Sequence, residues 1–237
     1  MLLRGGDSAR ARRWAEEALA LHVELGDEWG IANSTLLLGN VEAQDEHLES
    51  ARDLFEDALR RFEELEDEHY VLLATRLIAW MCYDLGNTDR ARALHESVVR
   101  RAQAVGNQRM EATSLGALSE YALHDGRVDD ATPMLTESTR IYDDLGERAE
   151  VVINIYRFAR ALLLRGRPEG AAELLGAADA LNAEMGASLE YWMRDMNDVT
   201  TAMLREALGD AALAEAREQG AKLSYEKAVA LALAKDD

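Results

Sequence analysis

For its first 221 residues the chain has no lysine; Lys222, Lys227 and Lys235 are the three it contains. That excludes from this stretch a lysine Schiff base and the lysine of a phosphate-cradling loop. No G-x-x-x-x-G-K-[ST] run occurs anywhere. Cysteine is scarcer still. Cys82 stands alone, which rules out an intrachain disulfide and fits a reducing cytoplasm. Proline occurs twice, at Pro133 and Pro168. No apolar run reaches the roughly 20 residues of a membrane-spanning helix. The start, Met1-Leu2-Leu3-Arg4-Gly5-Gly6, has neither the apolar core nor the cleavage site of a secretory signal. Positive charge is short as well: 26 Lys and Arg face 45 Asp and Glu, a formal net charge of −19. A surface of that sign repels phosphate backbones and anionic membranes. Basic or amphipathic polypeptides remain as partners.

What the chain has is helix-forming material and a repeat. Apolar residues make up 48% and charged residues 30%, enough for a buried core and too patterned for disorder. Ala, Leu, Glu and Arg dominate, and all four favour helix. Ala11, Ala51, Ala91, Ala131 and Ala171 recur every 40 residues. Three positions later stand Trp14, Leu54, Leu94, Met134 and Leu174; fourteen positions later, Leu25, Leu65, Val105, Leu145 and Met185. Gly26, Glu66, Gly106, Gly146 and Gly186 follow directly, and Gly6, Glu46, Gly86, Gly126 and Gly166 precede each alanine by five.

These positions imply their own physics. Apolar residues three, four and seven apart make one buried helical stripe. The alanine is small where two helix backbones approach, and the flanking glycines stop helices in the left-handed conformation. Asn87-Thr88-Asp89 and Arg167-Pro168-Glu169 are helix starts. Each unit therefore reads as helix, turn, helix, turn. A lone hairpin cannot bury its stripe, so neighbours stack. The expected fold is all-α: a right-handed α-solenoid of about five 40-residue helical hairpins with a C-terminal helical cap. The units fall near 1–27, 28–67, 68–107, 108–147 and 148–187, with a degenerate repeat and capping helices over 188–237.

Ala51, Phe55 and Ala58, with Leu38-Gly39 in the preceding helix, resemble the tetratricopeptide motif. Its usual period is about 34 residues; the longer period here is similar to the subclass found in kinesin light chains and bacterial regulators. The Phe55 equivalents are Ala15, His95, Leu135 and Leu175, so the residue itself does not repeat. The last seventy or so residues resemble the C-terminal end of large bacterial transcriptional regulators that join a signal-transduction ATPase to such repeats, often with a LuxR-type DNA-binding domain. The matching pieces are Ala171-Ala172-Glu173-Leu174-Leu175-Gly176-Ala177-Ala178 and Gly220-Ala221-Lys222-Leu223-Ser224 running into Ala228-Val229-Ala230-Leu231-Ala232. Arg217 stands where that family has an aromatic residue. The resemblance implies a sensor or scaffold module; neither ATP nor DNA binding carries over to these residues.

Both ends depart from the repeat. Leu2 and Leu3 align with Leu162 and Leu163, near the end of a first helix, so the helix bearing Trp14 and Leu19 is expected to lack its hairpin partner. Trp14 and Trp29 are then expected on the face such a helix covers. Toward the other end, 188–208 reads as a sixth first helix, followed by short helices near 210–219 and 225–233, the last capped by Ser224.

Chemistry-bearing patterns are sparse. His22, His47, His69, His95 and His124 include no pair three or four apart, so no metal site is expected. Asp143-Asp144 and Glu63-Glu64 read as solvated helix faces. No catalytic residue and no cofactor is assigned. Met185, Met193, Met196 and Met203, with Tyr191 and Trp192, read as packing against the cap. In tetratricopeptide folds the first helix of each hairpin lines the concave face. Mapped onto this register, that implies partner-binding positions at Asn33, Asn40, Arg76, Trp80, Tyr83, Asp84, Glu120, Tyr156 and Arg160, with His124 beside them. Trp, Tyr and Arg dominate binding hot spots, and Arg76 and Arg160 suit a peptide carboxylate.

The expected function is a cytoplasmic protein- or peptide-binding scaffold or sensor module of a bacterial regulatory protein, not an enzyme. Two alternatives stand beside it. One is self-association, or contact with upstream domains, through the open N-terminal end. The other is a small-molecule-sensing solenoid.

Overall fold

Eleven helices follow one another among the residues that the computed structural model describes, 5–186 and 191–234. They are α1 (Gly5–Leu25), α2 (Glu28–Gln44), α3 (Leu48–Glu64), α4 (Glu68–Asp84), α5 (Thr88–Val105), α6 (Gln108–His124), α7 (Val128–Asp144), α8 (Arg148–Leu164), α9 (Pro168–Glu184), α10 (Tyr191–Gly220) and α11 (Tyr225–Leu233). No strand occurs among the described residues. Leu2, Leu3 and Lys235, and the side chains of Tyr191, Trp192 and Met193, lie outside the described residues.

The turns recur every twenty residues, and each is built the same way. At the end of α1, Gly26 takes φ 66° and its N–H donates to Val23 O at 3.2 Å, while the Asp27 N–H donates to His22 O at 2.9 Å. This pair of bonds satisfies carbonyls that the helix end would otherwise orphan. Asp27 then caps α2, its carboxylate accepting from the Gly30 N–H at 2.9 Å. One residue thus ends a helix and begins the next, which keeps every connection short. Asp67, Asn87 and Asn107 cap α4, α5 and α6 in the same manner. Glu46 and Glu66 hold φ of 62° and 55° where the other turns use glycine. Gly6 differs from the sequence expectation. It lies in the first turn of α1, since no described helix precedes it to be stopped.

Packing follows the 40-residue register. Ala51, Ala91, Ala131 and Ala171 are fully buried. So are the positions equivalent to Phe55: Ala15, His95, Leu135 and Leu175 are all buried although their chemistry differs. Facing Phe55 is Gly39, where a Cβ would come within 2.6 Å of the ring. The equivalents of Gly39 in the next three repeats are Ala79, Ser119 and Ala159, all small and buried; on α10 the place falls to Val199, which is exposed. The pairing of small and large is what lets consecutive helices close on each other.

The chain divides into two compact units, Met1–Ser114 and Leu115–Asp237, with the division inside α6. In the first unit α1 packs on α2, α2 on α3, α3 on α4, and α4 on α5. A core cluster joins Leu72, Val98, Ala102 and Met110. In the second unit α7 packs on α8, α8 on α9, and α9 on α10; Ala122, Leu123, Val128, Ala131 and Ala161 cluster there. α10 breaks at Gly209, at φ 76° and ψ 164°, so its second part turns back along α9. The approach is close. A Cβ on Gly176 would lie 2.1 Å from Arg217 O, and one on Gly220 1.8 Å from Glu173 O. Arg217, the departure from the aromatic of the regulator family, therefore contributes its backbone to a glycine-lined crossing. α11 packs against α8 and α9, pinned by the Tyr225 hydroxyl donating to Asp143 at 2.7 Å and by Arg148 stacked 4.2 Å over the Tyr225 ring.

Candidate functional site

The sequence-selected positions lie on first helices, and the structure places them differently from one another. In the first unit, α4 carries Arg76, Trp80, Tyr83 and Asp84 at steps of four, three and one. They share a face because such steps return to the same side of a helix. Trp80 is 41% exposed, large for an indole on a packed helix. Asp84 is exposed; Arg76 and Tyr83 are half-buried. The charge of Arg76 reaches His95 on α5 and, after burial, helps hold that imidazole neutral, down to a pKa of about 3. On α2, Asn33 and Asn40 are half-buried, and Asn40 is the 40-residue equivalent of Trp80. Between them stands Leu37, 45% exposed. Sequence reasoning passed over Leu37 because it sits in a run of three leucines, Leu36-Leu37-Leu38. Only the helical register separates the exposed one from the buried Leu36.

In the second unit the candidates divide. Tyr156 differs from the expected solvent-facing position. It is 1% exposed, and its hydroxyl donates to Asp179 on α9 at 2.9 Å. Burial and that carboxylate push the phenol above its ordinary range. Asp179 also accepts from Arg217, so the three tie α8, α9 and α10 together. Glu120 is held by Arg157, whose Nη2 donates to Oε2 at 2.8 Å. Arg157 Nη1 donates to Asn154 Oδ1 at 2.8 Å, and Asn154 Nδ2 to Ser138 Oγ at 2.9 Å. This buried polar chain is satisfied link by link and orients helices rather than awaiting a ligand. Gly116 makes room for it; a Cβ there would lie 3.1 Å from Arg157 Nη1. His124 is exposed.

Arg160 lies in the last turns of α8. Its Nη1 contacts the Met203 sulfur on α10, and no carboxylate among the described residues pairs with it. Burial alone lowers the affinity of its guanidinium for the proton. The 40-residue register gives the reason. Arg160 occupies the place of Glu120 one repeat on, and Asn197 the place of Arg157. The acid of the preceding ion pair is replaced by a cation, and the cation by an amide. Asn197 is buried with neither amide atom hydrogen-bonded. Sequence reasoning missed Asn197, although the same register points to it.

Trp29 also departs from expectation. It lies at the start of α2, edge-on to Phe62 and Tyr70 with centroids 6.4 and 5.2 Å away. Its Nε1 donates to Asp67 at 3.0 Å. It packs onto α3 and α4 instead of the N-terminal face, because its place as the second residue of α2 points it at the following hairpin. Trp14 is 56% exposed on α1.

The second unit also has an open cleft of about 730 Å³ between α7, α8 and the end of α11, floored by Phe158. Its charges pair within it, Arg165 with Asp129 at 3.0 Å and Arg140 with Glu137 at 3.9 Å. Among the described residues no group of three or more His, Cys, Asp or Glu is placed to hold a metal ion. No described helix is long and apolar enough to cross a membrane.

The tetratricopeptide repeat family model matches residues 31–104, so this stretch is a tetratricopeptide repeat region, a kind of repeat that generally mediates protein–protein interaction. Among solved structures, BtubC (BKLC) from P. vanneervenii is similar at 18% identity and a TM-score of 0.68, over 91% of this chain and 89% of that one. A putative kinesin light chain of Podosopora anserina with nearly identical TPR-like repeats is similar at 21% identity and a TM-score of 0.57, over 79% and 92%. A variant of the same protein gives 19% and 0.59, over 77% and 90%. At these identities the likeness establishes the fold: an all-α TPR-like repeat. No curated protein matches the chain.

Proposed function

We propose that the chain is a partner-binding repeat scaffold that captures a protein or peptide on its first-helix faces, in the setting of a bacterial regulatory protein. The observation that carries this reading is the exposure of Trp80 and Leu37 on α4 and α2. Trp29, the other exposed large side chain of α2, is engaged by Phe62, Tyr70 and Asp67, whereas Trp80 and Leu37 have no such contact among the described residues. An exposed indole flanked by Asn40, Tyr83, Arg76 and Asp84 offers contact area together with directed donors and acceptors. The second unit by itself offers Arg160, a half-buried cation suited to an acidic group. The regulatory setting rests on the resemblance of the C-terminal segment, and a cytoplasmic location suits the free, buried Cys82 thiol.

The test is affinity capture from native lysate with wild type and with a Leu37→Ala/Trp80→Ala variant. Because neither side chain belongs to the buried core, the variant is expected to keep its helical circular dichroism and to melt within a few degrees of wild type. A partner recovered by wild type and lost by the variant supports the reading. Equal recovery by both refutes the α2 and α4 faces as the working surface.

A further inference from the structure

α1 carries two faces. One docks on α2: Ser8 donates to Asp45 at 2.6 Å, Arg12 pairs with Glu42 and Asp45, Ala15 is buried, and His22 lies against Gly30. The other holds Trp14, Ala18 and Leu21, four and three residues apart, with Arg10 5.2 Å over the Trp14 ring. Trp14 is 56% and Leu21 54% exposed. Their equivalents on α9, Leu174 and Leu181, are 0% and 7% exposed, covered by α8 and α10. The same register is therefore core in one repeat and surface in another.

Two properties of α1 say what fits this face. The stripe is symmetric about the point between Glu17 and Ala18: Trp14 and Leu21 stand equally far from it, as do Arg10 and Leu25. Charge is also segregated along the flank beside the stripe. Arg10 and Arg13 lie on the N-terminal side of that point and Glu24 on the C-terminal side, with Glu17 beside the centre and paired to Arg13 at 3.8 Å. A second α1 laid antiparallel sets Trp14 against the partner's Leu21, and Leu21 against the partner's Trp14. It also brings Arg10 and Arg13 alongside the partner's Glu24, twice over. A parallel copy would set this flank against the partner's other flank, away from Glu24. The helix dipoles favour the antiparallel choice as well. Such a two-fold contact uses the same patch on both chains along a helix roughly 31 Å long.

We propose that this chain forms a homodimer through antiparallel packing of α1 on α1 of a second copy, centred between Glu17 and Ala18. The interface is independent of the α2 and α4 faces and leaves them available to a partner.

Sedimentation velocity of the full chain tests it, from about 1 to 200 μM, the range where micromolar association shows. The mass is expected to rise with concentration toward twice 26.3 kDa. Trp14→Glu is expected to weaken association roughly a hundredfold, as for loss of a buried aromatic anchor, with the monomer's melting temperature unchanged. Orientation is read from charge reversal. Arg13→Glu and Glu24→Arg each weaken self-association, and an equimolar mixture of the two associates again because each reversed charge then meets its complement. A strict monomer at every concentration, which would leave α1 to an upstream segment or a different protein, overturns the proposal. So does a dimer indifferent to Trp14→Glu, or a mixture no tighter than either variant alone.

Discussion

The crossing of α9 with the second part of α10 gives the sharpest test of how this sequence holds its C-terminal end. In Gly176→Ala the new methyl would sit 2.1 Å from Arg217 O, a backbone atom that has no rotamer to escape into. Ordinary contact begins at 3.4 Å, so the helices must part by about 1.3 Å. Forcing extra carbon into packed structure costs about 1–3 kcal/mol, and a rigid backbone neighbour places this site at the upper end. Alanine returns up to about 1 kcal/mol of helix propensity. The net expectation is a loss of roughly 2 kcal/mol, local to α10 and α11, because stability in repeat proteins is carried by nearest-neighbour interfaces. Hydrogen exchange reads it directly: protection of the amides in 210–233 is expected to fall about thirtyfold. Gly170→Ala on the same helix is the control. Its Cβ would meet Leu162 at 3.5 Å, an ordinary contact, so it is expected to be neutral or mildly stabilising. A neutral or stabilising Gly176→Ala, with exchange unchanged, would refute the close-approach reasoning.

Two further perturbations follow from single residues. His95 is buried with its pKa pulled down to about 3, chiefly by burial and then by Arg76. The folded value lies below the unfolded 6.5, so its contribution to stability is complete above pH 6.5 and is lost as pH falls from there toward 3. At pH 5 the loss is about 2 kcal/mol. Urea unfolding at pH 7.5 and pH 5 is expected to show this difference in wild type and not in His95→Leu; identical pH dependence in both would sink the assignment. Glu66→Gly relieves a left-handed glutamate at φ 55°. It is expected to stabilise by about 0.5–1 kcal/mol after allowing for glycine's freer unfolded chain. No rise in melting temperature would show that the turn tolerates the side chain.

The repeat was legible because the residues that recur are the ones geometry constrains most: Ala51 and its fully buried equivalents, and glycine at the left-handed turns other than those held by Glu46 and Glu66. Helix ends were legible for the same reason, down to Ser224 at the start of α11. The faces were only half legible. A period of 3.6 residues assigns Tyr156 and Trp80 to first-helix faces alike, but burial depends on what stands opposite. Tyr156 meets Asp179 and the returning α10; Trp80 meets solvent. Trp29 looked like a terminal residue by sequence position and is an inter-helix one by helical phase. Nothing in composition marks the boundary between Ser114 and Leu115, which falls within an unbroken helix.

The positions that do vary give the repeat its individuality. At the register of Asn40 the chain places, in turn, Asn40, Trp80, Glu120, Arg160 and Thr200; at the register of Leu37 it places Leu37, Leu77, Ala117, Arg157 and Asn197. Backbone geometry in each repeat asks nothing particular of these residues, since the small-against-large pairs at Gly39 and Phe55 already close the hairpin. Glu120 and Arg157 neutralise each other and lock two helices. One repeat later the same two places hold Arg160, which has no paired carboxylate among the described residues, and Asn197, a buried amide with no hydrogen bond. Arg160 is half-buried, and burial lowers its affinity for the proton, so a carboxylate beside it would gain a charge-assisted hydrogen bond. First-helix faces thus serve two ends in neighbouring repeats: Glu120 and Arg157 lock helices together, while the Arg160 guanidinium meets the Met203 sulfur.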